Sequence, residues 1–136
     1  YFGTSDGYSL VGLDAKTGSQ TLLQLNDFYN FAQPQADDHH VYFATVSGEL
    51  YSINKSTSQK TLLFSTPNNL TNADELIKKK GGLKRIYSLD DNYNHVNATK
   101  DVQRMKDKLD SILSLTLDEK TLYLGSSTGK IYAVKL

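Results

Sequence analysis

Val41-Tyr42-Phe43-Ala44-Thr45-Val46-Ser47-Gly48-Glu49-Leu50-Tyr51-Ser52-Ile53-Asn54 is the stretch on which the fold turns. Its first five residues are strand formers, because branched and aromatic side chains suit a pleated, half-buried surface. A short turn holding Gly48 follows, and tight hairpins favour a residue that takes positive φ without strain. The next run alternates, with Leu50 and Ser52 on one face and Tyr51 and Ile53 on the other, which is the period of a strand. A polar turn of Asn54, Lys55, Ser56 and Thr57 leads to a further strand from Lys60 to Phe64.

The same grammar occurs twice more. Tyr1-Phe2-Gly3-Thr4-Ser5-Asp6-Gly7 and Tyr123-Leu124-Gly125-Ser126-Ser127-Thr128-Gly129 match Tyr42–Gly48. The turn glycines Gly7, Gly48 and Gly129 lie 41 and 81 residues apart, so the period is about 40 residues, that of a propeller blade. Asp14–Leu23 aligns with Asn54–Leu63, and Asp37–Tyr42 aligns with Asp118–Tyr123. The first copy has one residue more between Gly7 and Asp14, which predicts a β-bulge there. Before the third copy, Leu113, Leu115 and Leu117 alternate with Ser114 and Thr116 as an inner strand. Four antiparallel strands in about 40 residues make a blade. The fold class expected is therefore all-β: a single domain over residues 1–136, a partial β-propeller of about three four-stranded blades. Closed propellers use roughly 4–8 blades, so the expectation is either further blades in a longer chain or self-association. The strand-like ends, Tyr1-Phe2-Gly3-Thr4 and Ile131–Leu136, with no initiator Met and no signal peptide, suggest a piece of a longer protein.

Gly7 followed by Leu13-Asp14-Ala15-Lys16-Thr17-Gly18 resembles the repeat of quinoprotein-like (PQQ-like) propellers. The likeness spans about three blade equivalents. In that repeat a Trp follows the Thr-Gly; here Leu22 and Leu62 stand in its place, and the chain has no Trp. The WD-type propeller is the rival resemblance, but no Trp-Asp pair closes a repeat. The PQQ-like resemblance implies either a lumenal or periplasmic sensor or assembly domain, or a fragment of a quinone-dependent dehydrogenase.

Residues 66–110 break the repeat, and two readings stay open: a degenerate blade with helical decoration, or a helical insertion. Thr71-Asn72-Ala73-Asp74-Glu75-Leu76-Ile77-Lys78-Lys79-Lys80-Gly81-Gly82 predicts a helix with a cap, acids in its first turn, Lys in its last and Gly at its end. Asp101–Ile112 places Val102, Met105, Leu109 and Ile112 on one helical face. Ile86-Tyr87-Ser88-Leu89-Asp90 resembles Leu50–Asn54, as though one blade strand survives.

Lys78, Lys79, Lys80, Lys84 and Arg85 put five bases in eight positions. They are the candidate partner contact, set against the plainer reading of a solvated helix end. Asp37, Asp38, His39 and His40 contain ligand types, yet they align with Asp118-Glu119-Lys120-Thr121, a hairpin turn. His95 stands isolated. Tyr42, Tyr51, Tyr123 and Tyr132 recur at repeat positions and are expected in blade packing. Asn54, Asn69 and Asn97 head Asn-x-Ser/Thr sequons, candidate glycosylation sites that, with the absence of Cys, lean the localisation towards a secretory or lumenal space, the periplasm being what the PQQ-like resemblance adds.

Composition narrows the chemistry. Lys plus Arg is 15 and Asp plus Glu is 15, a net charge of zero, which argues against a general nucleic-acid binder. There is no Cys, so no disulfide framework and no thiolate site. No apolar run approaches the ~20 residues of a membrane helix. No Ser/His/Asp order, carboxylate pair or zinc motif is present, so no catalytic, cofactor-binding or metal-binding residue is assigned. The function expected is a non-catalytic propeller scaffold for protein–protein interaction, with the 66–110 excursion as its contact element.

Overall fold

Asp14 and Asn54 open two turns that close in the same way. Asp14 Oδ1 accepts from the backbone N–H of Lys16 (2.8 Å) and Thr17 (2.9 Å). Asn54 Oδ1 accepts from Ser56 (2.9 Å) and Thr57 (3.0 Å). In each turn the residue four positions on donates back to the opening carbonyl and takes positive φ: Gly18 at 72° and Ser58 at 58°. These contacts come from a computed structural model, which describes residues 1–3, 9–25, 32–78, 84 and 95–136.

Ten strands and two helices are described. The strands form three antiparallel sheets. The first sheet holds β1 (Phe2–Gly3), β2 (Ser9–Leu13) and β3 (Gln20–Leu25). The second holds β4 (Gln35–Ala36), β5 (His40–Ala44), β6 (Glu49–Asn54) and β7 (Lys60–Ser65). Helices α1 (Pro67–Leu76) and α2 (His95–Leu109) follow. The third sheet holds β8 (Ile112–Asp118), β9 (Thr121–Ser126) and β10 (Ile131–Lys135). The sheets thus have three, four and three described strands, where four each were expected.

Register carries the repeat into three dimensions. Gly3 faces Leu10, Ala44 faces Leu50, and Gly125 faces Ile131 across the three hairpins. Gln35 faces Tyr42 as Thr116 faces Tyr123. The bulge expected from the extra residue of the first copy is instead common to two copies. Pairing steps from Leu10–Gln24 to Val11–Leu22, and from Leu50–Phe64 to Tyr51–Leu62. Leu23 and Leu63 are therefore the bulged residues, and the extra residue itself falls among residues outside those described.

The sheets stack in series. Val41, Phe43 and Ile53 of the second sheet bury against Leu10 of the first, with the Tyr51 ring stacked 5.4 Å from Phe43. The opposite face of the second sheet, Tyr42, Ala44 and Leu50, shares a core with Ile112, Leu115, Leu122 and Leu124 of the third. Phe64 and Tyr132 extend that core outward, their rings 5.1 Å apart. No described residue of 66–110 belongs to either of these cores. β8 runs directly against β4 and β5, so the helices do not separate the second sheet from the third.

The helices depart from their expected bounds. α1 begins at Pro67 with Thr66 as its cap: Thr66 Oγ1 accepts from the N–H of Asn69 at 3.2 Å. Pro at the first helical position costs nothing, because its missing N–H would have lacked a helical partner. Thr71, where the expected helix opened, lies inside the helix and donates to Pro67 O. Ile77 is extended, so Asp74 and Glu75 fall in the last turn, and Lys78 lies beyond the helix instead of within it. α2 starts six residues before the expected Asp101. Met105 and Leu109 are buried and Val102 half-buried, but Ile112 lies in β8. The segment Ile86–Asp90 falls outside the described residues. No helix is long and apolar enough to cross a membrane among the described residues.

Candidate interaction site

The hairpin tip between β5 and β6 is the joint on which the helical segment is built. Gly48 takes φ of 86° there, and a Cβ on it would come within 2.5 Å of both Leu109 O and Thr66 Oγ1. The turn at Gly129 has nearly the same φ, 82°, with no atom within 4 Å of that position. Glycine at 48 is thus required by close approach as well as by the turn.

Val46 projects from this tip into a small core with Leu76, Met105 and Leu109, flanked by Ile77. Buried polar bonds surround it. Thr66 N donates to Gly48 O at 2.8 Å. Thr66 Oγ1 donates to Leu109 O at 2.6 Å, and Asn69 Nδ2 donates to Ser47 O at 2.8 Å. Ser111 Oγ donates to Val46 O. The β9–β10 hairpin joins the same assembly through Ser127, whose N–H donates to Ser111 O at 2.8 Å and whose hydroxyl donates to Lys106 O at 2.7 Å. Each bond satisfies a group that would be costly to bury alone. The two helices are therefore fixed to the tips of two neighbouring sheets.

Asp110 closes α2. It takes φ of 55°, a left-handed conformation that Asp tolerates better than most residues, and its side chain is fully buried. Burial by itself would raise its pKa. The hydroxyls of Thr128, Tyr132 and Ser126 and the N–H of Thr128 outweigh that and hold it at about 2. Lys130 Nζ adds a charge 3.6 Å away. In return, burial and the bond to Asp110 push the Tyr132 phenol up to about 12. Asp37 repeats the theme at the other end of the second sheet. Burial opposes its ionisation, but the Tyr42 hydroxyl and the N–H groups of His40 and His39 hold its pKa at about 2.

Where α1 passes the start of β6 lies a cavity of about 500 Å³ lined by Glu49, Asn69, Asp74, Lys78 and Lys84 among others. Lys84 is tied to the end of α1 by its N–H to Leu76 O at 2.6 Å, and its ammonium donates to Asp74 O. Two of the five expected basic contacts thus meet at one rim, beside two carboxylates. Lys79, Lys80 and Arg85 lie outside the described residues. Across the helix pair, Glu75 meets Arg104 at 3.1 Å and Lys108 at 3.4 Å. Lys108 and then Arg104 lower its pKa, although exposed pairs of this kind add little stability.

The sequons divide. Asn69 is buried with Nδ2 bonded to Ser47 O, so a glycan there is incompatible with the fold, which corrects that expectation. Asn54 occupies its turn, and Asn97 lies half-buried on α2. Of the four repeated tyrosines, Tyr42, Tyr51 and Tyr132 pack as expected, but Tyr123 is exposed. Asp37 makes its turn bonds to His39 and His40. No three His, Cys, Asp or Glu side chains converge as metal ligands among the described residues. Leu22 and Leu62, at the Trp position of the quinoprotein repeat, are both exposed and offer no ring plane.

The polar joint of Ser47, Thr66, Asp110 and Ser111 was missed by sequence reasoning. Thr66-Pro67 carried a usable signal, a capping hydroxyl before a Pro at the first helical position; Asp110 and Ser111 carried none. Compared with known proteins, the chain matches no family model, no curated protein and no solved structure.

Proposed function

We propose that the chain is a sector of a β-propeller that acts as a non-catalytic scaffold, binding a protein partner through the helical segment 66–110. The propeller reading is supported by the common register of three hairpins and by sheets stacked in series with repeated face roles. The observation that carries the scaffold reading is the joint between α1, α2 and the hairpin tips. Buried bonds hold the helices rigidly, while Leu70 and Val96 stand out from them in solvent. A cavity along α1 carries Lys78 and Lys84 with Glu49 and Asp74 in its lining. A fixed element with exposed apolar side chains and mixed charge suits a protein surface, because ordering costs are already met before binding.

The test is a Leu70→Asp, Lys78→Glu double variant compared with the wild type by cross-linking and mass spectrometry in the native host. Both side chains are exposed, so circular dichroism should be unchanged. The reading expects a partner cross-linked to the wild type near α1 and lost from the variant. The same partners recovered with both proteins would sink it.

A further inference from the structure

The turn after β6 employs only the oxygen of the Asn54 side chain. Oδ1 accepts from the N–H groups of Ser56 and Thr57, while Nδ2 has no hydrogen-bond partner among the described residues. The equivalent turn after β2 shows that the amide nitrogen is dispensable there. Asp14 makes the same two bonds, to Lys16 and Thr17, with a carboxylate oxygen. The repeat asks for an oxygen at this place, and Asn54 brings an amide nitrogen besides. Two positions on, Ser56 is exposed, and its hydroxyl bonds to none of the described residues. The two side-chain groups that define an Asn-x-Ser sequon are therefore both unused by the fold at Asn54-Lys55-Ser56. At Asn69-Leu70-Thr71 both are in use. Asn69, 5% exposed, gives Nδ2 to Ser47 O at 2.8 Å, and the Thr71 hydroxyl donates to Pro67 O at 3.0 Å.

We infer that Asn54 is a glycosylation site, its Nδ2 receiving an oligosaccharide from a polyprenyl-pyrophosphate donor. In that transfer a bond forms between Nδ2 and the anomeric carbon of the sugar. The bond from that carbon to the pyrophosphate oxygen breaks, the pyrophosphate leaves with the electron pair, and the amide gives one proton to a base of the transferase. The amide carbonyl is untouched, so Oδ1 still accepts both turn bonds and the modified chain keeps its turn. Ser56, Thr57, Ser58 and Gln59 are all exposed, which leaves room for a bulky polar group beside the half-buried Asn54. Asn54 pairs with His40 at the end of the second sheet opposite the Gly48 tip, so the glycan stands at the far end of that sheet from α1 and α2. The inference is therefore independent of whether the helices bind a partner. It places this part of the chain on the exported side of a membrane, where such transfers occur.

Peptide-N-glycosidase treatment in heavy-oxygen water tests it, applied to the full-length protein isolated from the organism that makes it and read by peptide mass spectrometry. Release of a glycan converts its Asn to Asp and leaves the heavy label there. Position 54 should carry the label and position 69 should not. Ser56→Ala and Asn54→Asp variants expressed in the same host should each lose the mass of one glycan. Both should keep the native circular dichroism, the second because Asp14 holds the same turn. An unlabelled Asn54 in the native protein overturns the inference. Label at Asn69 also overturns it, because the use of sequon groups by the fold would then not decide which sequon is modified.

Discussion

Asp110 holds a charge where there is no water to hold it. Its carboxylate is fully buried, and an ion in that position survives only when hydrogen bonds replace its hydration. Three hydroxyls and an N–H supply them. The consequence for stability follows from the folded pKa of about 2, below the ordinary value of 3.8. A group depressed in this way stabilises the fold above its unfolded pKa, and the contribution fades as pH falls through the folded one. Stability should therefore drop between about pH 4 and pH 2. Asp110→Asn keeps the shape but removes the charge. It should cost roughly 1.5–3 kcal/mol at neutral pH, the scale of hydrogen bonds to a charged group, and should flatten the decline in that acid window. Urea denaturation at a series of pH values reads both effects. Asp37 titrates in the same window, so a residual slope from it should remain in the variant.

Among the elements, α1 shows how a local signal is overruled by packing. Two hydroxyls compete for the capping role, and only Thr66 has a second task. Its Oγ1 accepts from Asn69 N and donates to the Leu109 carbonyl, which joins the start of α1 to the end of α2. Thr66→Ala should cost about 2–4 kcal/mol, combining a lost cap with a buried carbonyl left without its donor. Thr71→Ala, at the exposed position where the sequence pattern opened the helix, should change stability by less than ~0.5 kcal/mol. Guanidinium melts of the two variants separate these expectations, and equal effects would place the cap wrongly. The strands were more legible than the helices for a physical reason. Val41–Thr45 is dense in strand formers and is buried on both faces, as a strand between two cores is, while the alternation of Leu113, Leu115 and Leu117 with Ser114 and Thr116 marks a strand with one buried face. The helix at 67–76 has only Asn69 and Leu76 buried, so no apolar stripe marks its limits. The basic cluster was visible as composition, but that Lys78 and Lys84 share a cavity with Glu49 and Asp74 is a long-range arrangement, which no local pattern encodes.

Across the whole molecule, the question is what a stack of equivalent sheets does at its ends. Leu50 and Ile131 occupy the same place in the repeat, facing Ala44 and Gly125 across their hairpins. One is sealed beneath the third sheet, and the other stands in solvent. Identical truncations should therefore behave differently. Leu50→Ala opens a cavity between the second and third sheets and should cost about 2–5 kcal/mol. That lowers the melting temperature by on the order of 10 °C, whatever the protein concentration. Ile131→Ala removes no buried surface from a single chain and should leave a dilute sample within ~0.5 kcal/mol of the wild type. Calorimetry of the two variants beside the wild type distinguishes them. The Leu50→Ala melting curve should lie well below the wild type, and the Ile131→Ala curve should overlay it. Were the two variants displaced alike, the exposure of Ile131 would be wrong, and the two repeat positions would be equivalent in burial as well as in register.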